Sequence, residues 1–288
     1  MRKGIILSGG NGTRLYPSTK SLSKQMLPIY DKPMIYYSLN VLMLASIREI
    51  LIISSIDHID FYKSLFGNGS HLGIKLTYEV QSKPNGIAEA FIIGEKFLDG
   101  NESTLILGDN FFYGVDFENI FKNIDQNGAT IFGCHVNNPE AYGVIQFNEH
   151  NEITNIIEKP KNPPSDIAVT GMYFYDKFAP KYVKELNPSK RGELEITDLN
   201  KIYLKKNNLK LIKLDKSFAW MDAGTHENLL STSMLVSTIQ KRQGIMIACL
   251  EELALNNKWI NKKKLKAHLD DMPKSEYSSY LKKIIDRI

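Results

Sequence analysis

Cysteine is nearly absent from this chain, which carries only Cys134 and Cys249 among its 288 residues. Both lie inside apolar runs and neither has a C-x-x-C partner, which argues against a disulfide scaffold and predicts two buried structural thiols. No run of about 18 apolar residues exists, which argues against a membrane-spanning helix. Because the apolar run at residues 4–7 is also too short for a signal peptide, we expect a cytoplasmic protein.

The chain also has little net charge, +4 in total, and most of it lies near the end. From Lys258 onward, nine Lys or Arg residues stand against four Asp or Glu residues. This tail has apolar residues at helical spacing, which indicates packed amphipathic helices with a solvated basic face. We therefore expect no nucleic-acid or membrane partner, and a nucleic-acid binder with a basic tail is the weakest alternative.

Short apolar segments alternate with helix-like segments in the first half of the chain, as is typical of βαβ units. Strands are predicted at 3–7, 49–54, 76–81, 104–107 and 129–135, and helices at 34–45, 59–65, 87–97 and 117–123. Residues 136–214 change to closely spaced strands at 143–147, 153–157 and 169–175, and helices follow at 196–205 and 227–240. The expected fold is α/β: a Rossmann-like, mostly parallel mixed sheet flanked by helices, with a smaller sheet region laid against it and C-terminal helices.

Three glycines follow the first predicted strand in the segment L-S-G-G-N-G-T-R. Glycines allow a tight turn whose backbone N–H groups can approach an anion. A hydroxyl and a guanidinium come directly after the turn, and the K-Q pair follows ten residues later, so cations surround the loop. The pattern predicts a nucleoside triphosphate site formed by Gly9, Gly10, Gly12, Thr13, Arg14, Lys24 and Gln25.

Two better-known phosphate loops do not match this segment. Walker A needs a Lys-Ser or Lys-Thr pair at a fixed spacing, and the dinucleotide fingerprint needs a third glycine after Gly12. The motifs of the whole chain resemble those of the sugar nucleotidyltransferases, which join a nucleoside triphosphate to a sugar 1-phosphate and release pyrophosphate. In order, these motifs are G-G-N-G-T-R, K-Q-M-L-P-I-Y-D-K-P-M-I-Y-Y, L-G-D-N, Y-G-V, E-K-P, V-T-G-M-Y-F-Y-D, R-G-E-L-E-I-T-D and W-M-D-A-G-T.

Within that family the chain is most similar to the branch that uses dTTP and glucose 1-phosphate. The resemblance implies a nucleotidyltransferase domain at 1–240, with a nucleotide-binding part at about 1–135 and a sugar-phosphate part at about 136–225. It also implies a homotetramer with feedback inhibition at a second nucleotide site, and we expect the interface at 241–288. The product would supply dTDP-rhamnose or related sugars for polysaccharide synthesis.

Nucleotidyl transfer needs cations and a metal ion near the phosphates more than it needs a strong base. By resemblance, Arg14, Lys24 and Asp109 are the predicted catalytic residues. Asp109 and Asp222, each at the end of an apolar run, are the predicted ligands of Mg²⁺. Thr225 is expected to cap the helix after Asp222 and so to leave this carboxylate free.

Further motifs are predicted to bind the sugar phosphate and the nucleotide base. The resemblance assigns the sugar phosphate to Asn110, Tyr142, Gly143, Glu158, Lys159, Val169 and Arg191. The base is assigned to Gln81, whose amide both donates and accepts, and to Gly86, where the backbone can approach closely. The branch usually has Asp, Leu and Gln where this chain has Asn85, Ile87 and Glu89.

Two alternatives stay open at this point. The same chemistry on UTP or on another sugar 1-phosphate is the nearest. A sensor that binds a nucleotide sugar without turnover is the second, although a sensor is expected to have lost one of the catalytic cations or carboxylates.

Overall fold

A computed structural model describes residues 1–10 and 12–287 of the chain. Asn11 of the glycine loop and Ile288 at the end of the basic tail lie outside the described residues. The strands are β1 (Lys3–Ser8), β2 (Pro28–Ile29), β3 (Lys32–Pro33), β4 (Glu49–Ser54), β5 (Lys75–Val80), β6 (Ser103–Leu107), β7 (Asn110–Gly114), β8 (Ala129–His135), β9 (Gly143–Phe147), β10 (Ile153–Glu158), β11 (Ile167–Tyr175), β12 (Leu209–Lys213) and β13 (Phe218–Asp222).

The helices lie between these strands and after them. They are α1 (Ile35–Leu44), α2 (Ile59–Phe66), α3 (Ala90–Ile93), α4 (Glu95–Leu98), α5 (Phe117–Lys122), α6 (Ala179–Val183), α7 (Ile196–Lys205), α8 (His226–Gln243), α9 (Leu250–Asn256), α10 (Lys262–Asp270) and α11 (Glu276–Arg287). Most predicted elements are confirmed to within a residue or two. The predicted helix 87–97 is instead two short helices, α3 and α4, which meet at Gly94, a residue that weakens a helix interior.

A nine-stranded mixed sheet forms the centre of the molecule. Its strand order is β10-β9-β11-β6-β1-β4-β5, with β8 paired to β11 and β12 paired to β8. The pairs β6–β1, β1–β4 and β4–β5 are parallel, as the βαβ pattern predicts. The fold class inferred from the sequence is therefore confirmed.

We expected the middle strands to form a separate sheet region laid against the first, and the structure shows that they do not. Instead β11 pairs antiparallel with β6, and β9 and β10 continue outward from it. The free edge of β6 offers unpaired backbone groups, and β11 satisfies them, so the sheet is continuous. The sequence analysis did not predict β12, because alternating Lys and Leu residues are only a weak signal of a strand. It also did not predict the two-stranded ribbon that β7 forms with β13.

Helices cover both faces of the sheet because adjacent strand residues point to opposite sides. Ile6 packs in one core cluster with residues of α1, α9, α10 and α11. Its neighbour Ile5 packs in a second cluster with residues of α3, α6 and α7. Apolar residues at consecutive strand positions thus produce a three-layer α/β/α arrangement.

The basic tail packs on the first of these clusters. Leu265, Leu269, Leu281, Ile284 and Ile285 are buried, while most basic side chains of α10 and α11 are exposed. This arrangement confirms the prediction of amphipathic helices. Across the described residues, no helix combines the length and the apolar character that crossing a bilayer requires. Cys249 is buried as predicted, whereas Cys134 is only half-buried, because it lies where β8 reaches the surface.

Candidate active site

The glycine loop and the segment Gly108–Asn110 meet at one edge of the sheet. They follow β1 and β6, which run parallel with Leu7 paired to Leu107, so both chains leave the sheet on the same side. The backbone N–H of Gly108 donates to the carbonyl of Leu7 at 2.9 Å. A cleft of about 460 Å³ opens there, as expected at the carboxyl ends of parallel strands.

Most of the predicted site residues line this cleft. The residues that do so are Gly9, Gly10, Gly12, Thr13, Arg14, Lys24, Gln25, Asp109, Asn110, Tyr142, Gly143, Glu158, Lys159, Val169, Arg191 and Asp222. Gln81 and Gly86 are not among the lining residues, although Gln81 Oε1 lies beside Gly9, which lines the cleft.

Each predicted cation faces a predicted carboxylate across the cleft. The Lys24 ammonium forms a short ion pair with Asp109, and both side chains are mostly buried. The Arg14 guanidinium lies 3.5 Å from Asp222 Oδ2 and is 58% exposed. Lys24 is therefore held in place, while Arg14 is accessible to an incoming phosphate.

The ribbon of β7 and β13 brings the two aspartates together. Asp222 is paired with Asn110 in its register, and the N–H of Ala223 donates to the Asp109 carbonyl at 3.0 Å. Burial and the neighbouring Asp109 raise the pKa of Asp222. Burial acts on Asp109 in the same direction, but the Lys24 ammonium and its hydrogen bond outweigh it, so the pKa of Asp109 is lowered.

Thr225 caps α8 as predicted, since its hydroxyl oxygen accepts from the N–H of Asn228 at 3.2 Å. Asp222 is nevertheless not wholly free, because its Oδ1 accepts from the N–H of Gly224 at 3.0 Å. Its Oδ2 is the oxygen that faces the cleft and Arg14.

This donor set fits a divalent cation that binds together with a polyphosphate. Burial and the negative charge of Asp109 raise the pKa of Asp222, and a cation between the two carboxylates would relieve that repulsion; Mg²⁺ typically takes one or two carboxylates plus phosphate oxygens and water. Within residues 1–10 and 12–287, no group of three or more His, Cys, Asp or Glu side chains could hold a metal by itself. Substrate and water would therefore complete the coordination.

Asn110 has a role that the sequence did not reveal. Its Oδ1 accepts from the backbone N–H of Gly171 at 3.0 Å and from Trp220 Nε1 at 2.6 Å. Its Nδ2 donates to Asp109 Oδ1 at 3.0 Å. The amide thus has three partners and positions Asp109, and the predicted contact of Asn110 with the sugar phosphate stays a prediction.

The part of the cleft predicted to hold the sugar is rich in acidic residues, two of which, Glu193 and Glu195, the sequence analysis did not predict. Arg191 Nη2 lies 2.8 Å from Glu195 and 3.2 Å from Glu193, and hydrogen bonding to Glu195 raises the Arg191 pKa. Glu158 Oε2 accepts from the Thr197 hydroxyl at 2.5 Å. The R-G-E-L-E-I-T-D motif carried the missed residues, but only tertiary contacts identify their partners.

The base-side loop, residues 81–89, which we predicted to face the base, is fixed by packing against a distant segment. Gly86 has φ +110°, and a Cβ there would lie 2.4 Å from the Leu194 carbonyl oxygen. The N–H of Leu194 donates to the Asn85 carbonyl at 2.7 Å. This backbone contact requires a glycine here, and the predicted approach of the base to Gly86 stays a prediction.

Comparisons with known proteins agree with this geometry. Residues 3–238 match the family model described as nucleotidyl transferase. A glucose-1-phosphate thymidylyltransferase of Neisseria meningitidis is 50% identical over 287 residues, which cover 99% of this chain and 100% of the relative. The enzyme of the same name from Mycobacterium tuberculosis is 41% identical, with 99% of each chain covered.

Solved structures give the same picture of the fold. A Bacillus anthracis protein assigned as a glucose-1-phosphate thymidylyltransferase, solved with sucrose, has a TM-score of 0.76 and 42% identity over 82% of this chain and 95% of its own. A UDP-glucose pyrophosphorylase complexed with UDP-glucose has a TM-score of 0.73 over 83% of this chain and 99% of its own. At 24% identity the latter likeness concerns the fold alone.

Proposed function

The chain belongs to the nucleotidyl transferase family, and from this premise we propose that it transfers a thymidylyl group from dTTP to α-D-glucose 1-phosphate, giving dTDP-glucose and pyrophosphate. One observation carries the proposal: a single cleft gathers the Lys24–Asp109 and Arg14–Asp222 pairs beside the glycine loop. The names of the relatives support the choice of substrates.

In this proposal the sugar phosphate is the nucleophile and attacks the α-phosphorus of dTTP in line with the departing pyrophosphate. The glycine loop, Thr13 and Gln25 bind the triphosphate. Arg14 exchanges Asp222 for phosphate oxygens, and Lys24 stabilises the negative charge that develops on the transferred group. No general base is needed because the attacking phosphate is already ionised.

Nucleotidyltransferases of this kind typically use a divalent metal, and we propose Mg²⁺ held by Asp109 and Asp222. When bound, the ion offsets phosphate charge and draws the two substrates together. Asn110, through its hydrogen bond to Asp109, positions one of the two carboxylates. Arg191 and Lys159 bind the sugar phosphate, while the sugar is surrounded by Asn110, Tyr142, Gly143, Glu158 and Val169.

The first experiment measures pyrophosphate release by the purified chain with Mg²⁺ and glucose 1-phosphate, using dTTP, UTP, ATP, CTP and GTP in parallel. Fast release with dTTP and slower release with UTP is the expected result. Preference for another nucleotide would keep the chemistry and reassign the base. Nucleotide binding without release by any of the five would overturn the proposal in favour of a sensor.

We also propose a cytoplasmic homotetramer, without nucleic-acid or membrane partners, that is feedback-inhibited by a nucleotide sugar of the dTDP-rhamnose type. We keep the predicted interface at 241–288 and add the neighbouring helix α8, which has exposed apolar side chains. Leu230 and Met234 of α8 are 58% and 63% exposed, and Ile245 after α8 is 40% exposed. Light scattering tests the assembly: we expect a tetramer for the wild type and a smaller species for Met234→Glu. A monomeric wild type would contradict the proposed tetramer.

A further inference from the structure

Three side chains of the base-side loop form one hydrogen-bonded unit. Gln81 Nε2 donates to Glu89 Oε2 at 2.7 Å, and Asn85 Nδ2 donates to Glu89 Oε1 at 2.8 Å. Each oxygen of the carboxylate therefore receives one amide N–H. Gln81 is buried, at 5% exposure, so its amide cannot exchange these contacts freely for water.

The chemistry of a carboxylate determines which way the Gln81 amide points. An ionised carboxylate accepts hydrogen bonds and donates none, so the Gln81 NH₂ group must face Glu89. Oε1 must then point the other way, towards Gly9, where a Cβ would lie 2.4 Å from it. Gly9 lines the cleft, and among residues 1–10 and 12–287 no group donates to Oε1.

We propose that Glu89 is a positioning residue for base selection: it clamps the Gln81 amide so that the nucleotide site meets an acceptor, Oε1. An acceptor suits a base with a ring N–H, which thymine and uracil carry at N3. It disfavours cytosine, whose N3 is itself an acceptor. The inference rests on the proposed function and names the device that would give that function its base preference.

The same reasoning predicts which pairs of residues at positions 85 and 89 would hold the Gln81 amide in this orientation. With Glu at 89 accepting twice, its second partner must donate, which the Asn85 amide does. With Gln at position 89, the oxygen of the side-chain amide accepts and its NH₂ group donates. A partner that only accepts, such as Asp at 85, then forces the Gln carbonyl towards Gln81. Asn with Glu and Asp with Gln are thus two arrangements that fix Gln81 in the same orientation.

The single substitution Glu89→Gln breaks this matching. The amide introduced at position 89 can turn either its oxygen or its NH₂ group towards Gln81, because Asn85 can itself turn to donate or to accept. Gln81 then presents its oxygen or its NH₂ group to the nucleotide. Adding Asn85→Asp removes the ambiguity, since the new carboxylate at 85 accepts only.

The experiment compares kcat/KM for dTTP and dCTP, with Mg²⁺ and glucose 1-phosphate, in the wild type, Glu89→Gln, Asn85→Asp/Glu89→Gln and a control, Glu149→Gln. Glu149 is exposed and remote from the loop. We expect Glu89→Gln to lower the dTTP/dCTP ratio by at least about tenfold, the scale set by one mispaired buried hydrogen-bonding group. The double variant should return to within about threefold of the wild-type ratio, and the control should not change it.

An unchanged ratio in Glu89→Gln would overturn the clamp, as would a lowered ratio that the double variant does not restore. If the wild type released no pyrophosphate, the proposed function would fail separately. The dissociation constants of dTTP and dCTP for the same four proteins would then decide on the clamp, with the same pattern of loss and recovery expected.

Discussion

Replacing Asn110 with alanine tests whether the amide holds the two halves of the site together. The substitution removes the side-chain oxygen that accepts from Trp220 Nε1 and from the N–H of Gly171. A buried donor left without a partner costs about 1–3 kcal/mol. Since Gly171 is buried and Trp220 half-buried, we expect a loss of about 2–4 kcal/mol in the free energy of unfolding.

The assay is urea unfolding followed by fluorescence and circular dichroism, with Asn256→Ala as the matched control. Asn256 is exposed at the end of α9, and its side chain makes no hydrogen bond with the described residues, so its loss should change stability by less than about 0.5 kcal/mol. A loss below about 1 kcal/mol for Asn110→Ala would refute the reasoning, because it would mean that water or a shifted neighbour replaces the amide.

The same variant has a second readout in turnover. Asp109 loses the Asn110 hydrogen bond, one of the contacts that lower its pKa, so that pKa should rise towards the ordinary value. A misplaced carboxylate should reduce kcat by about tenfold or more under conditions in which the variant is folded. Wild-type kcat in a folded Asn110→Ala protein would show that Asp109 is positioned by other contacts.

Three further predictions concern different parts of the molecule. Lys24→Ala should lower kcat by about 10²–10³-fold while the circular dichroism spectrum is retained, and a near-normal rate would remove Lys24 from the mechanism. Gly86→Ala should destabilise the protein by more than about 1 kcal/mol in urea unfolding, because φ +110° and the Leu194 backbone leave no room for a Cβ; an unchanged midpoint would contradict this. Burial and the nearby His268 lower the pKa of His71 to about 4, so between about 6.5 and 4 the unfolded chain binds more protons than the folded one. Stability should therefore fall as the pH is lowered through that window, and His71→Asn should flatten the slope; equal slopes in the two proteins would disprove the assignment.

Local patterns predicted elements whose bounds depend on their own residues. The strands 49–54 and 129–135 have the predicted bounds because continuous apolar runs suit a strand covered on both faces. The glycine loop was recognised because glycines and cations in one short segment have few other uses. The basic tail was interpreted correctly because helical spacing of its apolar residues requires a packed face.

Features that depend on distant partners could not be predicted in this way. The strand at 110–114 pairs with the strand at 218–222, and the residues of neither segment predict this partner. The contacts of the Asn110 amide with Gly171 and Trp220 likewise depend on segments distant in sequence, and the sequence predicted neither these contacts nor the one with Asp109.

The sequence by itself determined the α/β class, the position of the glycine loop after β1 and the types of charged group beside it, since these follow from residue identity and short-range spacing. Only the tertiary structure decided which carboxylate faces which cation, why Gly86 must be glycine and which way the Gln81 amide points. The physical reason is that hydrogen bonds and ion pairs act over a few ångströms. Segments a hundred residues apart come that close only through the register of the sheet.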